Sequence, residues 1–95
     1  MKVPKKKRKT KALKPSSWLL YLLECADGSL YTGITNCLER RLEQHQRGKA
    51  SRYTRSRLPV KLRYTERCRN QSQALKREWT VKSLSRAEKE MLIKM

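Results

Sequence analysis

Glu78 is the residue whose position asks most for an explanation. A carboxylate belongs on the solvent side of a helix, yet Glu78 lies between Leu75 and Trp79, with Lys82 completing an i, i+3, i+4, i+7 series. A carboxylate set in an apolar stripe needs a counter-charge, and the choices are an ion pair with Lys82 or a nearby arginine, or a metal ion. Four other side chains able to move protons or hold charge fall upstream: Tyr21, Tyr31, Arg41 and the single histidine, His45. Taken singly, the tyrosines read as packed strand aromatics, Arg41 as an ion-pair or surface residue, and His45 as a helix-edge imidazole. Whether they form one site depends on the elements that carry them.

Trp18-Leu19-Leu20-Tyr21-Leu22-Leu23 is apolar on both faces, which predicts a central strand. It runs into Cys25-Ala26-Asp27-Gly28, whose Asp-Gly pair favours a tight hairpin turn. Ser29 to Ile34 then supplies an antiparallel partner, placing Tyr21 and Tyr31 on neighbouring strands. Thr35 or Asn36 is the expected cap of a helix in which Leu38, Leu42 and His45 share a face with Arg41, and Gly48 stops it. The stretch Gly48 to Pro59 reads as a basic loop or short turn of helix. Val60, Leu62 and Tyr64 alternate with Lys61, Arg63 and Thr65, the period of a half-buried third strand. Asn70 or Ser72 should cap the helix carrying Glu78, and Ser85-Arg86-Ala87-Glu88 is a capping box opening a last short helix. The expected fold is therefore mixed α+β, a small three-stranded antiparallel sheet flanked by helices in the order β-β-α-β-α-α.

Charge narrows the range of partners. The chain has 95 residues and a formal charge of +17. Eight of its basic residues lie in positions 1–15, which hold no acid, and the remainder keeps 17 basic against 8 acidic residues, or +9. Residues 1–15 are expected to be a disordered basic arm, and residues 16–95 one folded domain, there being room for no second. Such an excess of one sign repels itself and points to a polyanionic partner, with DNA first and RNA second. Lys49, Arg52, Arg55 and Arg57, joined by Arg40 on the preceding helix, are the candidate phosphate contacts. A membrane surface fits poorly, because the arm has no apolar face beside it. The absence of a secretory segment predicts an intracellular protein, cytoplasmic and nucleoid-associated in a bacterium, or nuclear in a eukaryote, where Pro4-Lys5-Lys6-Lys7-Arg8-Lys9 resembles an import signal, and a monomer is expected. Cys25, Cys37 and Cys68 are odd in number and show no C-x-x-C pairing, so they read as reduced thiols rather than a disulfide or zinc framework.

Tyr21, then Tyr31-Thr32-Gly33, then Arg41, at intervals of ten, with Glu78 further on, resemble the signature of the GIY-YIG nuclease superfamily. Leu19-Leu20-Tyr21 stands in the place of GIY, and Tyr31-Thr32-Gly33 in that of YIG. The segments Leu30 to Asn36, Leu38 to Leu42 and Ala74 to Glu78 are similar to the small stand-alone YhbQ-like branch, UPF0213. This resemblance implies a DNA endonuclease that hydrolyses phosphodiester bonds, with a place in DNA repair or recombination. It further implies that Glu78 holds one Mg²⁺ or Mn²⁺, Arg41 contacts the scissile phosphate, Tyr31 is the general base, and Tyr21 and His45 complete the pocket. A phenol keeps its proton at neutral pH, so a base of this type needs positive charge beside it. Glu90 stands where family members often carry an asparagine. The alternative is a non-catalytic DNA- or RNA-binding accessory protein that retains the fold.

Overall fold

The computed structural model of the protein describes residues 17–95, so the basic arm expected over residues 1–15 lies outside the described residues. Three strands, β1 (Trp18–Glu24), β2 (Leu30–Thr35) and β3 (Lys61–Cys68), form one antiparallel sheet in the order β2-β1-β3. The continuous apolar run of β1 takes the centre, and Leu19 to Leu23 are all buried. Among the described residues, four helices accompany the sheet: α1 (Leu38–Gln46), α2 (Arg52–Arg55), α3 (Gln71–Lys82) and α4 (Arg86–Lys94). This is the expected α+β order, with α2 as the short turn of helix anticipated in the basic segment before β3.

Alternation along β1 divides the core in two. Tyr21, Leu23, Cys25 and Val60 pack with Tyr31, Leu38, Leu42 and Leu58 on the face covered by α1. Leu20, Leu22 and Val81 pack with Ile34, Tyr64, Leu84, Leu92 and Ile93 on the face covered by α3 and α4. The ends of the elements follow local chemistry. Gly28 takes φ 86° at the hairpin turn and Gly48 φ 75° beyond α1, the left-handed region that glycine enters without penalty. Asn70 accepts from Gln73 N–H at 2.9 Å, and Ser85 and Glu88 close the reciprocal capping box at the start of α4.

Three expectations are corrected. The helix α1 is preceded by Cys37, which makes no side-chain cap, while Thr35 Oγ1 accepts from Cys37 N–H at 3.0 Å in the turn before it. The Val60, Leu62, Tyr64 alternation is broken, since Leu22 pairs with Tyr64 and Leu23 with Leu62, leaving Arg63 as the extra residue of a bulge. That bulge sends Tyr64 to one core cluster and Val60 to the other, and leaves Leu62 exposed. In α3 the sheet-facing positions are Ala74 and Val81, whereas Leu75 and Trp79 are 50% and 74% exposed. The leucines and isoleucines already lining that face leave room only for small residues, so the helix is turned away from the orientation its largest side chains suggest.

Candidate active site

The pocket is built where the middle of β1, the start of β2 and the last turn of α1 meet. Tyr21, 1% exposed, hydrogen-bonds His45 Nε2 at 2.8 Å. The imidazole lies edge-on to both phenols, its ring centroid 5.7 Å from Tyr21 and 5.3 Å from Tyr31, and the two phenols are 6.4 Å apart. On its other side His45 Nδ1 stands 2.8 Å from Thr54 Oγ1, carried by α2 and fully buried. Burial pushes the Tyr21 phenol up to about 12, opposed by Arg41. Burial, and then Arg41, push His45 down to about 4, leaving the ring neutral near pH 7. A phenol that keeps its proton must donate it, and Nε2 is the acceptor at hand. That assigns the imidazole proton to Nδ1, which donates to Thr54, whose hydroxyl turns to Ser51.

Arg41 and Glu78 approach this cluster from different helices. Arg41 lies one turn before His45 in α1 and donates from Nη1 to Gln44 Oε1 at 2.9 Å, and its charge acts on both Tyr21 and His45. Glu78 sits in α3, its side chain 19% exposed, with Lys82 Nζ at 3.4 Å. Its charge also acts on Tyr21, so two phenols, an imidazole, a guanidinium and a carboxylate share one electrostatic neighbourhood. The bidentate pair of Arg77 with Glu66, at 2.7 and 2.8 Å, ties α3 to β3 one residue before Glu78. No group of three or more His, Cys, Asp or Glu gathers among the described residues. A divalent cation at Glu78 would draw its other ligands from water and phosphate oxygens, which suits Mg²⁺ and its retained waters.

Unlike Tyr21, Tyr31 is half-buried and opens into a hollow of about 290 Å³ that Tyr53, Lys82 and Lys89 also line. Tyr53 stacks on Tyr31 with centroids 5.9 Å apart and planes 24° from parallel. The Arg57 guanidinium covers the Tyr53 ring at 3.9 Å. Sequence reasoning passed over Tyr53, Thr54, Lys82 and Lys89 as members of this neighbourhood. The sequence offers Lys82 only as a partner of Glu78, and no spacing ties the other three to the tyrosines.

The five candidate phosphate contacts separate. Lys49, Arg52 and Arg55 line one shallow depression of about 240 Å³ around the start of α2, and Arg40 is exposed on α1. Arg57 is already engaged, donating to Asp27 Oδ2 at 3.0 Å and to the Tyr53 carbonyl at 2.9 Å. Glu90 pairs with Arg63 at 3.5 Å and Arg86 at 2.9 Å, a fastening of α4 rather than a free carboxylate. Another depression, about 470 Å³, lies at the β3 edge of the sheet among Glu66, Arg67, Arg69 and Arg77. Cys25, Cys37 and Cys68 are free thiols.

A three-stranded antiparallel sheet with tyrosines on its first two strands, an arginine on the next helix and a glutamate on a later one is consistent with a domain of the GIY-YIG fold. Residues 17–91 match the sequence model of the GIY-YIG catalytic domain, and the chain belongs to the GIY-YIG nuclease superfamily, in its small UPF0213 branch. It is similar to a UPF0213 protein of Desulfotalea psychrophila, 51% identical over 82% of this chain and 72% of that one. A UPF0213 protein of the archaeon Halobacterium salinarum is 48% identical over 77% of this chain and 95% of its own. The solution NMR structure of a UPF0213 protein from Bacillus halodurans superposes with a TM-score of 0.54 at 42% identity, covering 82% of this chain and 83% of that one. No helix among the described residues is long and apolar enough to cross a membrane.

Proposed function

We propose that this protein is a metal-dependent DNA endonuclease acting on phosphodiester bonds, with Mg²⁺ or Mn²⁺ held at Glu78. The observation that carries the reading is the meeting of Tyr21, Tyr31 and His45 within electrostatic reach of Arg41 and Glu78. Arg41, the cation beside the phenols, would donate to the scissile phosphate and stabilise charge as it develops there. Tyr31 is the proton acceptor, because it opens to solvent beside Lys82 and Lys89, whereas Tyr21 is buried and donates to His45. The cation, when bound, supplies Lewis-acid polarisation of the phosphate and eases departure of the leaving oxygen. Lys49, Arg52 and Arg55, with Arg40, would carry the flanking phosphates of a strand reaching the hollow, and the basic arm would add further contacts. A role in repair or recombination, as a monomer on nucleoid DNA in the cytoplasm, belongs to the same proposal.

Branched, flapped and duplex DNA incubated with the full chain and Mg²⁺ should be nicked. Glu78→Ala should abolish cutting and Arg41→Ala should slow it on the order of 10²-fold, with binding retained in both. Cutting that persists undiminished in both variants overturns the mechanism. A second reading, a nucleic-acid-binding accessory protein without chemistry, is favoured by the Lys82 ammonium that already neutralises Glu78 at 3.4 Å. It predicts salt-sensitive binding with no cleavage under any divalent metal.

A further inference from the structure

The outward side of α3 carries an apolar stripe. Leu75 and Trp79, one turn apart, are 50% and 74% exposed, and Lys82 continues the line into the hollow that holds Tyr31. Lys76 flanks the stripe and is exposed, while Glu78, the single acid of α3, is mostly buried and paired with Lys82. A large indole in water beside cations, continuous with the candidate site, is the composition of a surface that meets the faces of nucleobases.

We propose that Trp79, supported by Leu75, is a base-contacting platform on which a base of the bound strand stacks while its phosphates run along Lys76 and Lys82. The inference rests on the reading that the hollow binds nucleic acid, and goes beyond it by assigning the base contact to α3. A second copy of this chain is a poorer occupant, because pairing identical faces would set Lys76 and Lys82 against their own kind between bodies of charge +17.

The test measures tryptophan emission of the full chain in EDTA, with a short single-stranded oligodeoxynucleotide and with a strand of equal length that is abasic throughout. The second tryptophan, Trp18, is handled by subtracting the signal of Trp79→Phe. The free protein should emit as a solvent-exposed indole, and the base-bearing strand should quench that emission where the abasic strand does not. Trp79→Ala should weaken binding of the base-bearing strand roughly tenfold or more, leave the abasic strand unaffected, and keep the salt dependence unchanged. Equal losses on both strands, or no quenching by bases, overturn the platform while leaving nucleic-acid binding intact. A buried-indole spectrum in the free protein, or a sedimenting dimer abolished by Trp79→Ala, overturns it in favour of another part of this chain or a second copy. Failure of wild type to bind either strand at low salt sinks the parent reading itself.

Discussion

Gly33 lies beneath the phenol of Tyr21, so close that a β-carbon at position 33 would stand 2.5 Å from Tyr21 Oη and 2.6 Å from Cζ. The two are register partners on β2 and β1, and the absent side chain lets the phenol cross β2 on its way to His45. Tyr21 cannot swing aside cheaply, being buried and held by that hydrogen bond.

Gly33→Ala is therefore expected to destabilise the fold by about 1–3 kcal/mol, the range for overpacking a filled site. Urea denaturation measures it. In a Tyr21→Ala background the penalty should largely vanish, and additive effects of the two substitutions would show that the clash is not the cause.

His45 should make stability depend on pH. Its ring, lowered from 6.5 to about 4 by burial and Arg41, resists protonation when folded, whereas the unfolded chain takes up a proton near 6.5. The contribution is thus complete above pH 6.5 and is lost as pH falls from 6.5 through 4, amounting to roughly 3 kcal/mol. Because the chain has one histidine, its NMR titration is unambiguous and should show a midpoint near 4. His45→Asn should flatten the stability curve over that window, and an unchanged slope would contradict the assignment.

The basic residues of the α2 region should divide into two kinds. Arg52 and Arg55, open in their depression, should each carry about one phosphate, so replacing either with alanine lowers the slope of log affinity against log salt by roughly 0.9. Arg57 is bound to Asp27 and the Tyr53 carbonyl, so Arg57→Ala should lower thermal stability and leave that slope unchanged. A salt slope that falls as much in Arg57→Ala as in Arg52→Ala would mean that the Asp27 pair opens when DNA binds.

Local interactions explain why much of the architecture was readable. The Asp27-Gly28 turn, the glycine after α1, the Asn70 cap and the Ser85-Glu88 box each involve residues at most four apart, and each stands where its chemistry predicts. The two-faced apolar run of β1 likewise required the centre of the sheet, since no edge position would bury both sides. The orientation of α3 was not legible, because the choice between presenting Ala74 and Val81 or Leu75 and Trp79 depends on how much space the opposing face leaves. The bulge at Arg63 escaped for a similar reason, being stabilised by Glu24 across the sheet at 2.6 Å and by Glu90 on α4.

The candidate site follows the same division. Tyr21, Tyr31, Arg41, His45 and Glu78 could be picked out along the chain through their resemblance to the family pattern, taken with the strands and helices that carry them. Only the folded chain decided that Tyr21 is a buried donor to His45 while Tyr31 opens to solvent, that Thr54 orients the imidazole, that Tyr53 stacks on Tyr31, and that Arg57 is held by Asp27. Periodicity places a side chain on a face of its own element, but exposure and hydrogen-bond partners arise between elements distant in sequence, where packing selects among the faces that periodicity allows.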